Sequence, residues 1–380
     1  MKKGSRNYWM DLVRGVAALE VMLGHLRAFV FVDFPQLQST GVFLKGFYYL
    51  TGFGHQEVVV FFVLSGYLVG GSVLSAKPDG FWTRYGVQRL SRLWIVLLPC
   101  LGATVLWNWL GMHTGGAAIL TGQMHLEVNS GPTGEGLRLG ALTFLGNVFF
   151  LQTIATPVLG DNGPLWSLAN EFWYYVLFPL MVFGFRGTEE WRRRLAFLVG
   201  AGLLLVLLPA GIVRGYVIWL AGAAVFACAG TRVARILGSV PVGLTAAILC
   251  AALFHRSRIG SVSDVALGLS FAATLPLLLR LPALPQAVSR SAAWLSDFSY
   301  TLYLAHFPLA AFVWYTWLGA KRAGPSPVTF VQYVGIALVL VLYSYLLSLL
   351  FERNTDKLRR AVMGLFVVES STPKIPTIDA

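Results

Sequence analysis

Charge is what this chain has least of. Asp, Glu, Lys and Arg make up only 12% of its 380 residues, where a soluble globular domain carries about a quarter. That deficit excludes a protein kept in solution by a charged surface. With 56% hydrophobic residues and a mean hydropathy of +0.68, it points instead to a polytopic membrane protein. Cysteine is equally scarce. Cys100, Cys228 and Cys250 all fall within apolar runs, so no disulfide framework is implied. The six histidines are scattered, without the spacing of a metal-ligand cluster, and no metal is expected. There is no internal repeat. Acidic residues are outnumbered, 17 against 29 basic, for a net charge of +12. In so apolar a chain this excess reads as the Lys and Arg of cytoplasmic loops, and no nucleic-acid partner is expected.

What is present is a series of apolar windows of roughly membrane-spanning length. They lie near 10–32, 55–76, 92–111, 165–184, 195–213, 215–230, 240–254, 262–280, 296–318 and 328–351. The run LGALTFLGNVFFLQTI (139–154) is short and ambiguous. Treating it as a re-entrant or surface helix leaves 20 basic residues on the cytoplasmic side and 7 outside, with Arg14 and Arg27 inside the first span. The positive-inside rule is then well obeyed. The expected fold is an all-α polytopic bundle of about ten transmembrane helices, with both termini cytoplasmic. One integral-membrane domain covers 1–360. A cytoplasmic tail covers 361–380, polar and disordered towards its end. The basic start followed by an apolar run is that of a signal peptide. Its internal charges, and the want of a small-residue cleavage site, make it an uncleaved first span. The loop near 112–138 has the Gly, Asn and Pro content of a substrate-facing loop.

Within these windows the polar residues demand a reason, since an ionisable group at membrane depth costs roughly 2.5 to 3.5 kcal/mol on insertion scales. DLVRGVAALEVMLGH (11–25) carries Asp11, Arg14, Glu20 and His25. On a helix, Arg14 and His25 point within about 20° of each other and stand about 16 Å apart along the axis. Asp11 precedes Arg14 by three residues, close enough to pair with it. The bland reading is a hydrogen-bonding stripe that glues helices together; four such groups in one span favour a functional path. In FFVLSGYL, Ser65 and Gly66 read by themselves as a close-packing device. In PLWSLANEFWYYVLFP, Glu171 lies inside the external end with Ser167 on the same face, while Trp173, Tyr174 and Tyr175 fit an interfacial belt. In SYTLYLAHFPL, Ser299, Tyr303 and His306 share a face. Two histidines at membrane depth suggest a general base. Arg89 and Arg92, one turn apart on a cytoplasmic segment, have the spacing of a phosphate clamp, although by themselves they read as a topology anchor.

In this order, from Asp11 to about Arg360, these motifs resemble the bacterial integral-membrane acyltransferase-3 family. Arg14 and His25 match its first-helix pattern of Arg, ten residues, then His. FFVLSGYLV matches its Ser-Gly element, and Arg89-x-x-Arg92 its Arg-x-x-Arg loop. PLWSLANEFWYYVLFP and SYTLYLAHFPL match the later Trp-Ser-Leu…Glu and Ser-Tyr…His-x-Pro elements. FERNTDKLRR is similar to the closing Glu-x-Pro segment, but Asn354 stands where proline is usual, and Glu57 replaces a glycine.

The resemblance implies an O-acyltransferase of the bacterial cytoplasmic (inner) membrane. It would move an acyl group, commonly acetyl, from cytoplasmic acetyl-CoA or another acyl-CoA to a hydroxyl of an extracytoplasmic glycan or related acceptor. No permanently bound cofactor is implied. Arg89 and Arg92 would hold the donor, together with Arg14 and Ser65. Arg14, oriented by Asp11, would bind the donor or polarise its carbonyl, and His25 would serve as the base. Glu171 and Trp166, with Ser167, Tyr303 and His306, would stand on the acceptor side. The rival reading is a secondary transporter or lipid-linked saccharide flippase, which also needs buried Arg, Glu and His.

Overall fold

The structure, a computed structural model, describes residues 6–37, 41–123, 138–186, 190–260 and 262–367. It is all-helical, with no strand among the described residues beyond two isolated bridges. In chain order the helices are α1 (Tyr8–Val30), α2 (Val42–Leu50), and α3 (Gly54–Ser65), which runs on through a wide π turn, Gly66–Gly70, into Gly71–Leu74. There follow α4 (Phe81–Thr114), α5 (Ala141–Val148), α6 (Leu165–Phe185), α7 (Trp191–Leu207) and α8 (Ala210–Ala227). The last are α9 (Val240–Ser257), α10 (Asp264–Leu278), α11 (Gln286–Asp297), α12 (Ser299–Trp317), α13 (Pro327–Leu350) and α14 (Thr355–Val367). Each of the ten apolar windows falls mainly on one helix, although 195–213 and 296–318 also touch a second.

Among the described residues, six helical stretches are long and apolar enough to cross a membrane: Val42–Leu74, Phe81–Thr114, Leu165–Phe185, Ala210–Ala227, Val240–Ser257 and Pro327–Leu365. The site-bearing helices α1 and α12 are not among them. Asp11, Arg14, Glu20 and Arg27 dilute α1, and Ser, Tyr, His and Trp dilute α12. The chain is a multi-pass membrane protein.

Cross-links between loops show that the helices alternate in direction. At one end Arg6 pairs with Asp297 at 2.7 Å, Trp9 Nε1 donates to the Pro282 carbonyl at 2.8 Å, and Arg186 reaches the Leu74 and Ala76 carbonyls. This is the basic face. At the other end Arg322 pairs with Asp33 at 2.7 Å, His55 with Asp264 at 3.0 Å, and Arg258 reaches the Gly52 carbonyl. The segment between α4 and α6 leaves from and returns to this second face. At its tip the Val148 carbonyl accepts from Trp94 at 2.9 Å and the Phe150 carbonyl from Trp173 at 3.0 Å. Both tryptophans lie well inside their helices, so 139–154 dips into the bundle and comes back. It is re-entrant.

Two differences from the sequence expectations have plain causes. The chain remains helical to Val367, so the boundary expected at 360/361 falls inside a helix. The aromatic residues after Glu171 are not an interfacial belt. Tyr174 and Tyr175 are buried, and Tyr174 donates to the Ile212 carbonyl at 3.0 Å. Tyr174 fills the seam between α6 and α8, while Tyr175 faces Ser65 on α3 and Arg89 on α4. The 112–138 loop lies largely outside the described residues.

The crossing of α3 and α8 is set by two glycines. A Cβ on Gly66 would stand 1.8 Å from the Trp219 carbonyl oxygen, and one on Gly222 would stand 1.9 Å from that of Val63. Backbone cannot yield as a side-chain tip does, so the helices must separate or the substitution is excluded. Gly66→Ala is therefore expected to cost most of the monodisperse protein recovered in detergent and to lower its melting temperature. An unchanged melting temperature is the result this packing forbids.

Candidate active site

On the basic face, a cavity of about 220 Å³ opens between α1, α3, α4, α6 and α12, with Arg14, Ser65, Arg89, Arg92, Glu171 and Tyr303 in its wall. The spacing of Arg89 and Arg92 puts both guanidinium groups on the same side of α4, yet they are not equivalent. Arg92 is engaged: its Nη2 lies 2.6 Å from Glu352 Oε1. Glu352 is buried, and its other oxygen accepts from the Thr301 amide at 3.2 Å and the Thr301 hydroxyl at 2.5 Å. Arg89 sits over the rings of Tyr85 and Tyr175 at 5.7 and 5.8 Å, and its buried Nε has no hydrogen-bond partner. A desolvated cation that keeps an unmet donor is unusual in a structural role. It suits an anionic ligand.

Arg14 marks the entrance. Its Nε and Nη2 donate to Ser296 Oγ at 2.8 and 2.5 Å, and that hydroxyl donates in turn to Asp11 Oδ1 at 2.9 Å. Asp11 also lies 3.4 Å from Arg14 and is paired with Arg6. Asp11 therefore orients Arg14 chiefly through a serine on α11. A second recess of about 220 Å³ shares Arg14 and Arg92 with the first and adds Arg353 at its rim.

Deeper in, Tyr175 donates to Glu171 Oε1 at 2.6 Å, and its hydroxyl lies 3.2 Å from Ser65 Oγ, which also accepts from Trp219 Nε1 at 3.1 Å. Ser65 thus does two things: it faces the cavity and ties α3 to α8.

The opposite face holds a larger cavity of about 710 Å³, lined by His25, Arg27, His55, Trp166, Arg258 and Tyr303 among others. Here His25 Nδ1 lies 2.9 Å from His306 Nε2, the two rings edge to edge and nearly coplanar, with centroids 5.2 Å apart and 12° between planes. His306 Nδ1 is 2.7 Å from the Leu302 carbonyl. A carbonyl only accepts, so His306 carries its proton on Nδ1 and leaves Nε2 as an acceptor when neutral. His25 must then donate from Nδ1. Its Nε2 keeps the lone pair, which is the tautomer a base requires.

The two cavities share Val58 and Tyr303 in their walls. The Tyr303 hydroxyl is 2.8 Å from Ser167 Oγ and 3.2 Å from the Pro164 carbonyl. Pro164 is held by the loop before α6, where Asn162 donates to the Leu304 carbonyl at 3.0 Å and Asn108 to Asp161 at 2.7 Å. Arg14, Ser65, Arg89, Arg92, Glu171 and Ser167 therefore gather at the basic-face cavity, and His25 and Trp166 at the other. His306 stands behind His25, and Tyr303 lies between the compartments. The sequence reading grouped Glu171 with Trp166; the structure separates them, because five residues on a helix turn through about 500° and climb about 7.5 Å. Glu352 was missed as a site residue. Its signal was an acid at the end of an apolar helix, noticed only for the missing proline beside it.

The fold is thus a helical membrane bundle with polar cavities on both faces and a histidine pair beside the larger one. The chain belongs to the acyltransferase-3 family: the family model, described as an acyltransferase domain, matches residues 7–353. It is an acyltransferase. Comparisons with curated proteins and with solved structures gave no match.

Proposed function

We propose that this acyltransferase moves an acyl group, acetyl in the simplest case, from a cytoplasmic acyl-CoA to a hydroxyl of an extracytoplasmic glycan or related acceptor. It does so in the bacterial cytoplasmic membrane, with ten spans and both termini inside. The observation that carries this reading is the pair of cavities on opposite faces sharing Tyr303 as a wall. A donor made on one side and an acceptor displayed on the other need such a meeting point.

The donor's phosphates bind Arg89, with Arg92 held in place by Glu352. Arg14 and His25 stand about 16 Å apart on one helix, too far for both to touch one reacting carbonyl. Arg14 is therefore a donor-binding group at the entrance, and the extended arm of the acyl-CoA runs from it towards Tyr303. His25 Nε2 takes the proton of the acceptor hydroxyl while that oxygen attacks the thioester carbon. The carbon–sulfur bond breaks, CoA leaves as the thiolate, and the proton on His25 returns to it. Trp166 and the rest of the outer cavity position the acceptor.

Membranes supplied with acyl-labelled acetyl-CoA and an extract of the host's glycans should give alkali-labile label on glycan together with free CoA. A transporter or flippase has no reason to bind or hydrolyse acetyl-CoA, so the absence of both label and CoA release favours that rival. Arg89→Ala should raise the apparent KM for acetyl-CoA at least tenfold, because charge-assisted hydrogen bonds to phosphate contribute about 1.5–3 kcal/mol each. An unchanged KM would return Arg89 to a topological role.

A further inference from the structure

Beside the outer cavity lies a further compartment of about 710 Å³, lined by His55, Trp166, Thr153, Asn170, Arg214 and Asp264 among others. The compartments share His55, Val58 and Trp166 in their walls, so what divides them is largely one imidazole and one indole. That partition is built. His55 Nε2 donates to Asp264, 3.0 Å from each carboxylate oxygen, which fixes the imidazole nearly parallel to Trp166 (centroids 6.3 Å apart, 18° between planes). Thr153, which lines the far side, is one of the few non-glycine residues with positive φ, +66°. Strained backbone of this kind persists where the surroundings impose it, and it clusters at ligand sites.

The chemistry of the lining is mixed in a particular way. Phe62, Ile212, Ile218, Val262 and Val265 give it apolar walls, and among them stand a guanidinium, a carboxamide, a hydroxyl and the carboxylate paired with His55, with an indole face between the compartments. An apolar acyl chain would use the apolar walls alone. A small anion would not use the aromatic wall. A pyranose uses both: its hydroxyls give and accept hydrogen bonds, and its C–H face packs on an indole. Each compartment falls in the range of about 300–1,000 Å³ that holds a whole small ligand, so the pair exceeds what one sugar unit needs.

We propose that this compartment is a second saccharide subsite: the unit to be acylated sits beside His25 while a neighbouring unit of the same glycan passes Trp166 and binds against Asp264, Asn170 and Arg214. The acceptor is then an oligosaccharide or longer glycan. This rests on the glycan-acceptor reading above and sharpens it.

The test uses two independent readouts on the purified full-length protein. Host glycans are cleaved by mild acid, sized into monosaccharide and oligosaccharide fractions, and end-labelled with a fluorophore. Binding is read by anisotropy, and acyl transfer from labelled acetyl-CoA is read separately. Oligosaccharides should bind at least tenfold more tightly than monosaccharides. Asp264→Ala and Trp166→Ala should each remove most of that difference, with Asp264→Asn intermediate. Equal affinity for both fractions, or an advantage that survives Asp264→Ala, overturns the subsite even if transfer to glycan is observed. Length-dependent binding lost in Asp264→Ala, without transfer to any fraction, upholds the subsite and sinks the transferase reading of the acceptor side.

Discussion

His25→Ala is expected to lower acyl transfer by about 10²–10⁴-fold, the range a positioned general base supplies, while the protein still inserts and runs as a monodisperse species. The loss should fall on kcat with the KM for acetyl-CoA nearly unchanged, because His25 lines the cavity opposite the one that holds Arg89 and Arg92. The neighbour is informative as well. His306→Phe keeps an aromatic ring at this position but removes the acceptor for His25 Nδ1–H, so the imidazole is no longer held in one tautomer. Its kcat should fall, though by less than in His25→Ala. His306→Gln offers a carbonyl oxygen near the lost Nε2 and should recover part of that rate. If the two His306 variants behave alike, packing rather than tautomer is what His306 provides. Activity near wild type in His25→Ala removes His25 from the chemistry altogether.

Glu352→Ala is expected to have the second largest effect, here on stability. Glu352 has a 3% exposed side chain and serves Arg92 at 2.6 Å together with the amide and hydroxyl of Thr301. Its removal leaves three donors unmet and a cation without its partner. Losing one member of a fully buried pair costs about 3–5 kcal/mol. The Arg92 side chain is 38% exposed and keeps some access to water, so about 1–3 kcal/mol is expected here. A clear drop in melting temperature in detergent should appear, with Glu352→Gln intermediate because it retains an acceptor for Thr301. The KM for acetyl-CoA should rise in parallel as Arg92 loses its fixed position. A variant as stable as the wild type would show that water replaces the carboxylate.

Much of the architecture was legible because a bilayer enforces simple rules on a chain. Apolar windows must be helical to satisfy their backbone, and all ten fall on helices. Charged groups inside such windows must meet protein or water, and Asp11, Arg14 and His25 do so.

What only packing decided lies at the contacts between distant helices. Helical periodicity relates Arg14 to His25, but nothing local to either predicts that His306, 281 residues further on, hydrogen-bonds His25 and selects its tautomer. The same holds for Glu352, brought from beyond the end of α13 to neutralise Arg92 and not Arg89. Glu171 and Trp166 are close in sequence yet line different cavities, because a helix turns as it climbs. Patterning within a segment follows from its own residues and the solvent around it. Which protonation state, which arginine and which compartment a residue serves depends on the shape of neighbours that the chain meets only after folding.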